Sequence, residues 1–261
     1  SAGFFTLLDE LTIARSRKHI QKYYKASMAQ IGQFPKRKKP ESVFSEIDLK
    51  GRFLSYDKLN DEIDNYQLSI FKPSKYVLEA FKAQYEDHRV KNFSQENREK
   101  FLIGMMKVNF LKRLESSVRA FAITMERTVS KIEDLEGRLK QFLQHQAETA
   151  EDIQPDFFVE PAEEDEELAQ AFQAGTKLKY RMEHMNVAAW LADLTTDKQQ
   201  LSLLADAAQA VDASRDAKLA ELKRLIEHKV RHPSTNTLGE ENRKVIVFCA
   251  FADTAAYLYE E

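Results

Sequence analysis

Apolar residues recur along this chain at helical spacing, and the longest such pattern lies between Ser94 and Gln146. Leu111, Leu114, Val118, Phe121, Met125, Thr128, Ile132, Leu135, Leu139 and Phe142 follow one another in alternating steps of three and four residues. That is a heptad repeat interrupted only at Thr128, and it predicts long helices with a coiled-coil-like seam. Glu96 and Glu99 suit the start of such a helix, where the backbone dipole favours anions. A single helix over the whole stretch would be about 75 Å long. Serine often caps a new helix, so Glu115-Ser116-Ser117 marks a place for a break. The seam runs straight through it, which predicts at most a kink.

Shorter patterns flank this stretch. Phe4 to Tyr24 reads as a helix through Phe4, Leu7, Leu8, Leu11 and Ile20. Val43 to Leu49 and Gln67 to Phe71 read as short strands. Ser55 caps a short helix carrying Tyr56, Leu59 and Ile63, and Pro73 opens another through Tyr76, Val77, Ala80, Phe81 and Tyr85. Leu168 to Val211 returns to helix, with Val187, Ala188, Trp190, Leu191 and Leu194 on one face. There Thr195 and Thr196 mark the end of one helix and the cap of the next. Leu219, Leu222, Leu225, Ile226 and Val230 give a last amphipathic helix over Arg215 to Val230. Val245 to Phe248 is an unbroken apolar run, β-branched at three of four positions, which predicts a strand buried on both faces. A helix-forming run follows from Ala252, so the stretch reads strand–loop–helix, the first half of a βαβ unit. No second parallel strand follows it, and the expectation is a piece of a longer protein cut just inside an α/β domain.

The fold class predicted is mainly α: long helices forming an elongated helical bundle, a few short strands, and a C-terminal strand–helix from a truncated α/β lobe. Composition agrees. Of 261 residues, 31% are charged and 43% hydrophobic, with only 7 glycines and 6 prolines. The net charge of −3 excludes a generally basic nucleic-acid binder. The lone cysteine, Cys249, excludes an internal disulfide or a cysteine-based zinc site and fits a reducing, cytoplasmic setting. No apolar run approaches the roughly 18 residues of a membrane span. About half of the residues from Glu148 to Glu167 are acidic, with Pro155 and Pro161 among them. They lack a histidine partner and an Asp-x-Asp-x-Asp-Gly pattern, so they read as a solvated linker and not as a metal site. His184, near Met182 and Met185, reads as structural.

Cations cluster in the first part of the chain. Arg15, Arg17 and Lys18 sit on the N-terminal helix, and Lys36, Arg37, Lys38 and Lys39 lie in a loop bounded by Pro35 and Pro40. Both groups could touch DNA phosphate, and both could be solvated surface.

Four segments resemble one family. Lys244 to Tyr257, with Val-Ile-Val-Phe and then Asp253-Thr254-Ala255, resembles the first strand and helix of the second RecA-like lobe of superfamily II helicases, especially bacterial SWI/SNF-type DNA translocases. Cys249 and Ala252 stand where the family more often has polar residues. Lys107 to Phe121, containing Lys-Arg-Leu-Glu-Ser-Ser, resembles the helix between the two lobes. Thr12 to Ile20 resembles the exit from the first lobe, with Ser16 between Arg15 and Arg17 as a departure. Asp216 to Leu222 resembles the helix before the second-lobe strand. The four occur in family order.

The resemblance divides the chain into a basic exit segment with a small mixed region (1–93), a long helical region (94–147), the acidic linker (148–167), a second helical region (168–232) and the start of the second lobe (233–261). It implies a lobe-bridging fragment of an ATP-dependent DNA helicase or translocase, with DNA and the two lobes as partners and ATP and magnesium as cofactors of the whole protein. It makes Lys112, Arg113 and Glu115 candidates for ion pairs to a lobe, and Lys112 and Arg113 candidates for DNA contact. No Gly-x-x-x-x-Gly-Lys-Ser/Thr and no Asp-Glu-x-His is present, so no catalytic residue and no cofactor is assigned to the fragment itself. The alternative is a non-enzymatic coiled-coil interaction protein that self-associates or binds a partner through the Leu111 to Phe142 seam. A restriction- or methyltransferase-associated parent is a further reading.

Overall fold

A computed structural model describes residues 17–26, 34, 38–85, 95–144, 152–153, 179–235 and 239–261. In chain order its elements are α1 (Arg17–Tyr23), α2 (Tyr56–Asp64), α3 (Lys82–Tyr85), α4 (Gln95–Ser116), α5 (Val118–Gln144), β1 (Asp152–Ile153), β2 (Tyr180–Arg181), α6 (Val187–Gln209), α7 (Ala217–Arg231), β3 (Ser234–Thr235), β4 (Glu241–Asn242) and α8 (Ala252–Glu260). The protein is mainly α, with two small antiparallel ladders among the described residues. The chain forms two compact units, one of Ser1–Phe44 with Pro233–Arg243, the other of Ser45–His232 with Lys244–Glu261.

The first unit contains α1 and the ladder of β3 with β4, in which Ser234 pairs with Asn242 and Thr235 with Glu241. Arg17, at the start of α1, lies over the Phe34 ring at 5.4 Å.

The second unit is organised on α5. The predicted seam is its interior face. Val118, Phe121, Met125, Ile132, Leu135, Leu139 and Phe142 are all buried, and α5 lies along α6. Thr128 does not break this face, because its hydroxyl donates to the Thr124 carbonyl (2.8 Å), just as Thr124 donates to Ala120 (2.9 Å). A threonine so bonded buries its methyl and leaves no hydroxyl without a partner. Glu136, also buried, accepts from Thr195 (2.9 Å) and Lys198 (2.7 Å) on α6 and so fixes the register of the two helices. Trp190 anchors the other side of α6. It is fully buried, stacks on Tyr76 at 5.5 Å and donates to the Ser69 carbonyl at 3.0 Å.

Several sequence expectations are corrected. The stretch from Gln95 to Gln144 is two helices and not one with a kink. Ser117 belongs to neither helix: its N–H closes α4 on Arg113 O (2.9 Å), its carbonyl accepts the first bond of α5 from Phe121 (3.1 Å), and its Oγ accepts from Ala120 N (3.0 Å). Thr195 and Thr196 do not end a helix. Both hydroxyls bond back to carbonyls one turn earlier, and α6 continues to Gln209.

Gln67 to Phe71 is not a strand. Leu68 is left-handed (φ 50°) and Ser69–Phe71 form a 3-10 turn, held where the buried Asp197 carboxylate accepts from Ser69 N at 2.5 Å. The helix expected from Pro73 breaks into 3-10 turns before α3. Tertiary bonds claim its backbone, with Leu78 N donating to His184 O (2.8 Å) and Asn186 N to Tyr76 O (2.7 Å). Glu99 on α4 accepts from Ser74 and from the Tyr180 hydroxyl, and burial pushes its carboxyl above the usual range. Val43 to Leu49 forms no strand among the described residues, only a bridge from Asp48 to Asp216. Of the acidic linker, 152–153 are described and pair with β2, while the rest lies outside the described residues.

Val245 to Phe248 is the largest departure. The run joins no sheet, and its side chains are 43, 77, 44 and 91% exposed in order. A strand of a parallel sheet is buried by its neighbours, and none lies beside this one among the described residues.

The core assignment has a direct check. Trp190→Ala should lower unfolding free energy by about 3–5 kcal/mol in chemical denaturation, since it removes a fully buried ring and one of the two donors to the Ser69 carbonyl, which keeps Lys72 N–H.

Candidate functional site

The break at Ser117 makes a corner, and the polar groups there are taken up by two other helices. Arg113, in the last turn of α4, is buried with 2% of its side chain exposed. An arginine inside a protein needs an anion, and Asp253 on α8 supplies it, at 2.9 Å from Nη1. Phe251, the N-cap residue of α8, places its ring 4.0 Å from the same guanidinium. Arg127, one helix further on α5, reaches Asp253 from the solvent side with both terminal nitrogens, at 3.0 and 3.1 Å. Thr254, next to Asp253 and buried, shares hydroxyl hydrogen bonds with Ser116 (2.7 Å) and Ser117 (3.0 Å). The two arginines thus fix α8 by charge, and the two serines fix it by position.

A second contact ties α7 to the corner. Asp216 caps α7 by accepting from Leu219 N (2.9 Å) and also accepts from the Tyr257 hydroxyl of α8 (3.1 Å). Burial and the nearby Asp216 charge push the Tyr257 phenol above its usual range. Lys218 donates to the carbonyl of Glu115, one of the groups the end of α4 leaves without a helical partner. Beside this, the buried Asp48 carboxylate is bridged by Arg215 (2.5 and 3.1 Å) and accepts from Lys50, Arg52 and Phe53 N–H groups. The Arg215 guanidinium, with those backbone donors, holds Asp48 far below the usual carboxylate range. A cleft of about 400 Å³ opens next to it, lined by Glu46, Arg52, Ser55 and Lys58 among others.

Three of the segments singled out in the sequence therefore meet here: Lys-Arg-Leu-Glu-Ser-Ser through Arg113, Ser116 and Ser117, Asp216-Ala-Lys-Leu through Asp216 and Lys218, and Phe-Ala-Asp-Thr through Phe251, Asp253 and Thr254. Sequence reasoning named Arg113 as an ion-pair or DNA residue. Its position is interior and its guanidinium goes to Asp253, so it is not presented to a nucleic acid. Lys112 is exposed on α4. Arg17, Lys38 and Lys39 are exposed in the first unit, and Lys18 lies in α1. Arg15, Lys36 and Arg37 lie outside the described residues. Arg127 and Tyr257 were not singled out as site residues. The one sequence signal for Arg127 is its heptad position outside the seam, next to Thr128, where a cation faces solvent.

The chemistry this corner offers is mechanical attachment and anion contact. Among the described residues no group of three or more His, Cys, Asp or Glu is arranged to hold a metal ion, and no helix is long and apolar enough to cross a membrane. No protein-family model, curated protein or solved structure matches the chain.

Two outcomes follow from the geometry. Asp253→Ala takes its paired carboxylate from a buried guanidinium and should cost about 3–5 kcal/mol. Arg127→Ala removes a largely exposed partner and should cost no more than about 1 kcal/mol. Urea unfolding of both variants separates them, and hydrogen exchange should show α8 released only by the first. The Asp48–Arg215 pair sets a pH dependence. A carboxyl held below its ordinary value stabilises the fold above about pH 4 and loses that contribution as pH falls further. Unfolding midpoints measured from pH 5 down to strong acid should therefore fall less steeply for Asp48→Asn than for the unaltered chain.

Proposed function

We propose that this chain is the lobe-bridging segment of an ATP-dependent superfamily II DNA helicase or translocase resembling the bacterial SWI/SNF-type proteins. In this reading α4 and α5 carry lobe closure toward DNA, and the chain has no catalytic residue of its own. One observation carries the reading. The inter-lobe motif and the second-lobe motif, separated by more than a hundred residues, are joined side chain to side chain through Arg113–Asp253 and the Ser116, Ser117 and Thr254 hydroxyls. A bridging element needs such a fixed joint between the helix that moves and the lobe that drives it. The bare apolar run Val245–Phe248, directly before α8, fits a strand whose sheet is supplied by further chain.

The rival reading needs the heptad seam free for a partner helix. The seam is covered by α6 of the same chain, which favours a self-contained bundle.

The test is to read the gene on both sides of this segment and to assay its full product. Expected are a Gly-Lys-Thr phosphate loop and an Asp-Glu pair upstream, an arginine-bearing motif downstream, and DNA-stimulated ATP hydrolysis that the present segment alone lacks. Stop and start codons bounding the segment, or ATP turnover by the purified segment itself, would overturn the reading.

A further inference from the structure

We propose that His228 and His232, at the end of α7, form an open chelating site for a borderline divalent transition metal ion such as Zn²⁺, Ni²⁺ or Cu²⁺, and that the bound ion clamps the last turn of α7. The site does not depend on the translocase reading, nor on the corner where α8 is held.

The two histidines stand four residues apart, so a helix puts them on one face with β carbons about 5–6 Å apart. The helical path holds as far as the second of them, because His232 N donates to His228 O at 2.8 Å. Their rings are stacked, with centroids 4.5 Å apart and planes 30° from parallel. A metal–imidazole bond is about 2 Å long, so one ion spans nitrogens up to about 4 Å apart. A small opening of the stack brings both rings to it. Both residues are exposed, so a hydrated ion reaches them directly.

A separate observation concerns the tautomer. His232 Nδ1 lies 3.2 Å from the His228 carbonyl oxygen. A carbonyl oxygen only accepts, so Nδ1 carries the proton and the lone pair of the neutral ring is on Nε2. A metal-binding histidine is held in this way, with a carbonyl on its other nitrogen that fixes the ring and raises the basicity of the free one. The His228 imidazole makes no hydrogen bond among the described residues, so nothing opposes its turning toward the ion.

The charges around the pair are compatible with a cation. The C-terminus of a helix favours positive charge. The arginines nearest the pair are matched on their own helix, Arg224 by Glu221 at 2.5 Å and Arg231 by Glu227 at 2.9 Å. With Glu227 so held, and with no group of three ligating residues among the described ones, the chain supplies two ligands and leaves the other positions to water or an external ligand. Lys229 stands where a zinc-protease helix carries its glutamate base, so the site binds and does not hydrolyse. Imidazole nitrogens select Zn²⁺, Ni²⁺ and Cu²⁺ over Mg²⁺ and Ca²⁺, which take oxygen ligands. His232 is the last residue of the second unit before the chain enters the first at Pro233, so the clamp acts where the chain passes from one to the other.

The experiment is calorimetric titration of the metal-free chain with Zn²⁺ near neutral pH, paired with hydrogen exchange of α7, for the unaltered protein, His228→Ala, His228→Gln, His232→Ala and Cys249→Ser. Expected is saturable binding of one ion per chain, weakened about a hundredfold in each histidine variant, because removing one of two linked ligands removes the chelate gain. Cys249→Ser should bind like the unaltered chain. Zn²⁺ should slow exchange in the last turn of α7 in the unaltered chain and in none of the histidine variants, while Mg²⁺ should leave it unchanged. Alanine is a strong helix former, so circular dichroism without metal should show α7 intact in the variants. No saturable binding, undiminished binding by the histidine variants, loss of binding with Cys249→Ser alone, or equal protection by Mg²⁺ overturns the site. Binding that the histidine variants lose, but that leaves exchange in α7 unchanged, supports the site and overturns the clamp.

Discussion

A guanidinium shut away from water must be met by an anion, and in this protein that requirement falls on Arg113. Its partner, Asp253, comes from a helix 140 positions along the chain. The desolvation cost of the pair is large, and the close ion pair, the Phe251 ring and the adjoining hydroxyl bonds help to offset it. Because the pair is only favourable when complete, α8 is not an appendage. Without it, the buried guanidinium at the corner where α4 gives way to α5 would lose the carboxylate that pairs with it. The position of Ser117 follows from the same corner. It closes one helix, opens the next and offers its hydroxyl to both α5 and Thr254.

Buried polar side chains do similar work elsewhere in the second unit. The α5–α6 interface is apolar along most of its length and by itself would tolerate sliding by a heptad. Glu136, bonded to Thr195 and Lys198, removes that freedom, since any other register would leave a carboxylate facing hydrocarbon. Its carboxyl is pushed up by burial but held down by Lys198 and Thr195, and it ends below the ordinary value. Asp197, between Thr195 and Lys198 on α6, performs the equivalent service for the turn that follows left-handed Leu68, accepting from Ser69 N–H.

The sequence made the helices legible wherever one face could be read against one period. The seam from Val118 to Phe142 is interior, the α2 positions Leu59 and Ile63 are fully buried, and α8 starts at Ala252. What failed had physical causes that a one-dimensional pattern does not carry. Thr195 and Thr196 look like a cap in sequence, but their hydroxyls can bond to carbonyls of the preceding turn, and a helix that is packed on both ends prefers that. The Pro73 to Tyr85 helix lost its backbone donors and acceptors to residues near His184, a competition set by tertiary contact. At the corner, the identities of Arg113 and the serines were visible, but their partners were not. Nothing in the spacing of Asp253, Thr254 and Tyr257 says which helix they face.

The contrast between α8 and the run before it bears on how such a joint could work. The helix is fixed by an ion-pair trio, two hydroxyl bonds and the Tyr257–Asp216 bond, while Val245 to Phe248 has no strand partner among the described residues. Exposure along the run alternates, with Val245 and Val247 half covered and Ile246 and Phe248 bare, as in an edge strand with one face against its own protein. An edge of that composition is a pairing surface that proteins otherwise blunt or cover. If a sheet joins it, that sheet inherits the attachment of α8, because only the short stretch from Cys249 to Phe251 separates strand from helix. A rotation of the sheet would then pull directly on Asp253 and Thr254. The joint can transmit that load for a physical reason: yielding at Arg113 means exposing a buried charge or parting it from its carboxylate, which costs far more than bending a surface loop.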